Sequence, residues 1–272
     1  MIAPVVGSHC PSNRSPLGSP APRGTPGNGS VTGRRHDRGV AINLRGVVTV
    51  LLPGTGSDDD YLRRVFTAPL QHVGAVVVAV PPRADDLIHS YLKALDEASL
   101  AGPIAVGGVS IGAAVATRWA LENPARVVAI LAVLPPWTGA PDTAPAALSA
   151  RHTAARLRRD GLDATAAAMR ASSPPWLADE LARSWRRQWP SLPDAMDEAA
   201  GYPGPTAADL SRLTTPMGVV GASDDPIHPI EVAREWASCA PRAALRTVTL
   251  EQFGPTPAAL GAAGLAALQA TG

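Results

Sequence analysis

The sequence predicts an α/β protein: a mostly parallel central sheet with helices on both faces and a helical cap inserted after the fourth core strand. Three observations carry this. Short runs that are apolar throughout alternate with amphipathic stretches, the pattern of strands buried on both faces between covering helices. The alternation lapses over residues 137–212, where helical stretches follow one another around Pro-rich turns. It then resumes and holds to the last residues.

Taken in order, residues 1–38 are rich in Pro, Gly, Ser and Arg, as in SPLGSPAPRGTPGNGS. Such a stretch buries too little apolar surface to offset its ordering entropy, so a disordered tail is expected. The core is expected over 39–136 and 213–272, and the cap over 137–212. Val47 to Leu52 (VVTVLL) reads as a buried strand entering a tight loop at Pro53-Gly54-Thr55-Gly56. An amphipathic stretch from Asp58 to His72 follows, and Asp58, Asp59 and Asp60 suit a helix N-terminus. Ala75 to Val80 reads as a second buried strand, and Asp85 to Leu100 as a helix. Ile104 to Val106 opens a third strand that runs into Gly107-Gly108-Val109-Ser110-Ile111-Gly112, with a helix over Ala113 to Glu122 and a fourth strand over Val127 to Leu134. Within the cap, helices are expected at 144–159, 164–171 and 177–188. Met217 to Gly221, Glu231 to Ser238, Leu245 to Leu250 and Pro257 to Leu268 then read as strand, helix, strand and helix.

Composition narrows the function classes. The 24 basic residues against 23 acidic ones leave a net charge of +1, which argues against nucleic acid or an anionic membrane as partner. Cys10 and Cys239 are too far apart in sequence and setting to predict a structural disulfide. No run approaches the roughly 20 apolar residues of a membrane helix. Met1 to Val6 is too short for a signal peptide, so a cytoplasmic location is expected. Six scattered histidines offer no metal-ligand spacing, Gly54-x-Gly56 lacks the third glycine of a dinucleotide fingerprint, and the Walker pattern is missing. The expected partner is a small molecule, with no cofactor.

The sharpest signal is Gly108-Val109-Ser110-Ile111-Gly112. G-x-S-x-G between a strand and a helix forces a sharp turn that presents the serine at the sheet edge, beside a helix N-terminus. The plain alternative is a glycine-rich turn with a bystander serine. With Pro53-Gly54-Thr55-Gly56 after an early strand, the insertion at 137–212, and Gly221-Ala222-Ser223-Asp224-Asp225-Pro226-Ile227-His228-Pro229, the chain resembles the α/β-hydrolase family over residues 40–272. The last segment is similar to the family's G-x-x-D-x-x-x-P acid loop, aligning on Asp225 with Asp224 as the second choice. The resemblance implies roles. Ser110 would be the nucleophile, the backbone N–H groups of Thr55 and Ile111 would form the oxyanion hole, and Asp225 would orient a histidine. Gly54 and Trp137 would border the substrate, although Trp137 serves equally well as a core anchor for the cap. Trp176, Trp185 and Trp189 either pack the cap or line a pocket.

The base is the difficulty. The family places its histidine after the last core strand, where this sequence has Glu251-Gln252-Phe253-Gly254-Pro255-Thr256-Pro257, and no histidine follows His228. His228 could turn into the site from the acid loop, or His152 could reach down from the cap; His72 and His89 fall on outer helices. The leading expectation is a serine hydrolase for a small ester, thioester, lactone or amide. The alternative is a ligand-binding protein of the same fold that has lost its base, with a lyase as a minor third.

Overall fold

The computed structural model describes residues 42–272; the predicted tail and Cys10 lie outside them. The first part of the chain forms β1 (Val48–Leu52), α1 (Asp59–His72), β2 (Val76–Ala79), α2 (Leu87–Ala98), β3 (Ile104–Val109), α3 (Ile111–Glu122) and β4 (Val127–Val133). Four helices follow without a strand: α4 (Pro145–Ser172), α5 (Pro175–Gln188), α6 (Leu192–Gly201) and α7 (Ala207–Ser211). The sheet is completed by β5 (Met217–Ala222), α8 (Ile230–Cys239), β6 (Ala243–Val248), α9 (Leu250–Phe253) and α10 (Ala258–Gln269). All six strands are parallel, in the order β2-β1-β3-β4-β5-β6.

The strands are apolar throughout because each face has its own core. Val50, Leu52, Ile130, Ala132 and Val219 pack with Tyr91 of α2, Ala116 of α3 and Trp236 of α8. Their neighbours Leu51, Ala129, Leu131, Val133 and Val220 point the other way, onto Leu62 and Phe66 of α1 and Leu260 and Leu268 of α10. The side chains alternate in direction with the period of two that a strand imposes.

One strand departs from expectation. The run over 75–80 reads as buried, yet Val76 and Val78 stand 50% and 39% exposed. β2 is the edge strand, and among the described residues only β1 pairs with it. Val77 and Ala79 meet the core while the alternate positions face solvent. An apolar run looks the same on an edge as in the centre, and strand order decides the difference.

The chain winds from β1 outward to β2, then returns past β1 to β3 and continues the other way. The order therefore reverses between β1 and β3. In open parallel sheets that reversal opens a crevice at the carboxyl ends of the strands, where ligands bind. The loop after β1 and the turn after β3 both leave the sheet there. The register Leu52↔Gly108 and Gly108↔Ala132 brings Pro53 level with Val109 and Val133.

The inserted helices dock over this end of the sheet. α4 turns at Gly161 (φ 78°, ψ 175°), which separates the two stretches predicted at 144–159 and 164–171. Glu198 of α6 accepts hydrogen bonds from the Leu87 and Ile88 N–H groups at 2.9 and 3.1 Å. These are donors of the first turn of α2, which have no partner within their own helix. Trp137 opens the insertion. It is 4% exposed, its Nε1–H donates to the Tyr202 carbonyl at 3.2 Å, and its own carbonyl accepts from Trp236 Nε1 at 3.3 Å. These bonds tie the start of the insertion to the end of α6 and to α8.

Candidate active site

The turn after β3 is where sequence most directly dictates geometry. Ser110 adopts φ 54° and ψ −121°, outside the regions that most side-chain-bearing residues populate. The flanking glycines make that turn feasible. A Cβ on Gly108 would lie 2.3 Å from the Leu52 carbonyl oxygen, and one on Gly112 would lie 2.1 Å from the same atom. Neither distance leaves room for a methyl group, so α3 can start hard against β1 only with glycine at both positions. Ser110 N–H donates to the Val133 carbonyl at 2.9 Å, which fastens the turn to β4.

The loop after β5 brings Asp225 and His228 to Ser110. Asp225 Oδ1 accepts from the Ile227 and His228 N–H groups at 2.8 and 3.2 Å, closing a tight turn around Pro226. Asp225 Oδ2 lies 2.8 Å from His228 Nδ1, and His228 Nε2 lies 2.9 Å from Ser110 Oγ. A carboxylate only accepts, so the ring proton sits on Nδ1 and Nε2 is left to accept the Ser110 hydroxyl proton. Three side chains from two loops thus form one hydrogen-bonded chain ending on the serine.

Burial alone would push the Asp225 carboxyl up. The hydrogen bond and charge of His228, with the Ile227 and His228 N–H groups, outweigh that and hold it below the usual carboxylate range. It therefore remains an anion across the neutral range, the form needed to stabilise an imidazolium.

Asp224 is engaged elsewhere. Its Oδ1 accepts from the Leu250 N–H at 2.8 Å, tying the acid loop to the segment after β6. His72, His89 and His152 are exposed on α1, α2 and α4. Of the described histidines, it is His228 whose ring meets Ser110. Gly54 lies beside Ser110: a Cβ there would sit 3.3 Å from Ser110 Cβ. Thr55 follows in the same loop and Ile111 opens α3 next to Ser110. Trp189 is 40% exposed, whereas Trp185 is buried among Leu157, Leu192 and Met196 of the inserted helices.

A family model described as "Alpha/beta hydrolase family" matches residues 29–252. The chain belongs to the alpha/beta hydrolase family. Solved structures with the same fold include a putative non-heme bromoperoxidase from Mycobacterium tuberculosis, 18% identical, with a TM-score of 0.62 over 85% of this chain and 94% of that one. A hydrolase from Pseudomonas aeruginosa is 21% identical (TM-score 0.59, 82% and 90% covered). A thermophilic esterase from Thermogutta terrifontis is 19% identical (TM-score 0.58, 75% and 82% covered). No curated protein matches the sequence.

The segment after β6 carries no histidine and packs against the inserted helices. Thr249 and Gln252 cap α9 reciprocally, and Phe253 is buried with its ring edge-on to Trp176 of α5, centroids 5.5 Å apart. A Cβ on Gly254 would lie 2.3 Å from Trp176 Nε1. The indole occupies the space beside the loop, and the contact pins the start of α5 to the core.

The other end of α5 is held by charge. Asp58 caps α1 by accepting from the Tyr61 N–H at 3.1 Å, and it is also gripped by Arg183 from α5 through two bonds of 2.7 and 2.9 Å. Arg187 adds a contact at 3.4 Å, and Glu180 pairs with both Arg64 and Arg183. Asp58, Asp60 and Glu180 converge closely enough to hold a metal ion, but these guanidinium groups already take their oxygens. Burial raises the Asp58 carboxyl, and the Arg183 hydrogen bond, the Tyr61 N–H and the charges of Arg183 and Arg187 more than reverse this, leaving it lowered from 3.8. A carboxyl depressed on folding stabilises the fold above its unfolded pKa, and that contribution is lost as pH falls through the folded value. Stability should therefore drop below about pH 4 more steeply in the wild type than in Asp58→Asn, which has no such group to titrate. Urea unfolding at pH 6, 4 and 3 checks this.

Proposed function

We propose that this protein is a serine hydrolase acting on a small, largely uncharged ester, thioester, lactone or amide through an acyl-enzyme. The observation that carries the reading is the 2.9 Å approach of His228 Nε2 to Ser110 Oγ, with His228 Nδ1 2.8 Å from Asp225. Ser110 Oγ attacks the carbonyl carbon while His228 Nε2 takes its proton. Asp225 stabilises the imidazolium so formed. The Thr55 and Ile111 N–H groups hold the oxyanion of the tetrahedral intermediate. The carbonyl carbon's bond to the leaving group then breaks, and His228 delivers the proton to that group. Water, deprotonated by the same nitrogen, attacks the acyl carbon; a second collapse frees the acid and returns the proton to Ser110.

A ligand-binding protein of this fold would be the better reading if the serine lacked a base. The imidazole in hydrogen-bonding reach of Ser110 favours the hydrolase reading over it. A fluorophosphonate probe should label the wild type on a single peptide containing Ser110, read by mass spectrometry, and Ser110→Ala should remain unlabelled. A wild type that resists the probe and releases no p-nitrophenol from short-chain esters would overturn the proposal.

A further inference from the structure

The loop Pro53–Ser57 has little to hold it from within. Its internal backbone bond runs from the Ser57 N–H to the Gly54 carbonyl at 3.0 Å, closing a turn whose centre is Thr55 and Gly56. Gly56 has φ 73°, a conformation open to glycine and strained for other residues. A turn with glycine at its centre can reorient its central peptide plane at small cost, and a turn that opens its Ser57–Gly54 bond also frees the Gly54–Thr55 plane, which carries the Thr55 N–H. The Tyr91 hydroxyl of α2 donates to the Pro53 carbonyl at 3.3 Å, and from Gly56 onward the restraint comes from α5, through three separate contacts. Gln188 Nε2 donates to the Ser57 carbonyl at 3.0 Å, and to Ser184 Oγ at 2.8 Å. Arg183 forks onto both oxygens of Asp58, the residue where the loop becomes α1. The Trp185 indole lies flush against Gly56, where a Cβ would meet its Nε1 at 2.7 Å.

We infer that α5 is the device that holds the oxyanion loop in its working conformation, with Arg183 and Gln188 as positioning residues for the Thr55 N–H. This rests on the assignment of Thr55 as an oxyanion donor in the proposed function. The chemistry of the contacts fits the role. A guanidinium fork fixes a carboxylate in direction as well as distance, and Asp58 is 2% exposed, so little water competes for it. The amide of Gln188 is aimed at backbone, and backbone orientation is what an N–H donor requires. The inserted helices thus support the loop that carries the Thr55 N–H.

Gln188→Met tests the inference. Methionine has nearly the same length and removes Gln188 Oε1, which is buried without a hydrogen-bond partner among the described residues, but it also takes the Nε2 donor from Ser184 Oγ and the Ser57 carbonyl, so a thermal melt accompanies the kinetics. The expected result is a fall in kcat of about tenfold on a p-nitrophenyl ester, less than the 10²–10³ lost with a whole oxyanion donor. KM should stay within about twofold, because the contact serves the transition state. Hydrogen–deuterium exchange of the peptide spanning 53–58 should quicken. Arg183→Met should act in the same direction, Arg183→Lys should recover only part of kcat, and Arg183→Met should add nothing further in an Asp58→Asn background. Unchanged exchange over 53–58 in both Gln188→Met and Arg183→Met overturns the inference outright. Faster exchange with unchanged kcat overturns the positioning role while leaving the hydrolase reading intact. Faster exchange in the variants of a protein whose wild type neither hydrolyses esters nor takes the probe removes the hydrolase reading and keeps α5 as the restraint on this loop.

Discussion

His228→Ala is expected to lower kcat/KM on an activated short-chain ester by about 10⁴-fold or more, while the melting temperature stays within a few degrees of the wild type. Without the imidazole, Ser110 must attack as a neutral hydroxyl, a poor nucleophile, and the leaving group loses its proton donor. What survives is binding and the oxyanion donors, which alone retain some acceleration over water. The fold should hardly notice, since the His228 side chain is 16% exposed and lies in a loop rather than in either core. Steady-state kinetics beside a thermal melt separates the two effects. A variant keeping a tenth of wild-type activity would show that the proton goes elsewhere and that the Ser110–His228 contact is incidental.

Gly112→Ala should damage structure and activity together. The added methyl group would sit 2.1 Å from the Leu52 carbonyl oxygen and 2.9 Å from that of Pro53. Both belong to backbone, with no flexible side chain to swing aside. Either α3 moves away from β1 or β1 bends. Overpacking of this kind costs about 3 kcal/mol or more when backbone must yield, which for a domain of this size lowers Tm by about 6–12 °C. Activity should fall further than stability explains, because the same displacement carries Ser110 and Ile111 away from the 53–57 loop. A melt within 2 °C of wild type would mean that the elbow has slack these distances do not admit.

Much of this architecture is legible one segment at a time. The apolar runs at 47–52, 104–109, 127–134 and 217–221 are strands, and the Pro-rich stretch between the fourth and fifth is helical. Asp58 stands at the start of a helix because its carboxylate satisfies a first-turn N–H, a local matter. Other elements left weaker traces. α6 and α7 begin among prolines and escape a periodicity reading, and Glu198 carries no sign that it will cap a helix 110 residues earlier. Asp224 and Asp225 fit the acid-loop pattern almost equally. They part only because the segment after β6 passes within reach of one and His228 turns beneath the other.

Local patterns in the chain dictate the parallel sheet, the glycines without which Ser110 could not be presented, and the spacing of three residues that lets Asp225 hold His228. These depend on backbone sterics and on neighbours a few residues apart. Packing between distant segments places β2 at the edge, ties Trp137 to Tyr202 and Trp236, brings His228 rather than His152 to Ser110, and sets α5 against the loop after β1. Each of those is a meeting between segments tens to more than a hundred residues apart, fixed by how the cores pack, and no local pattern records it.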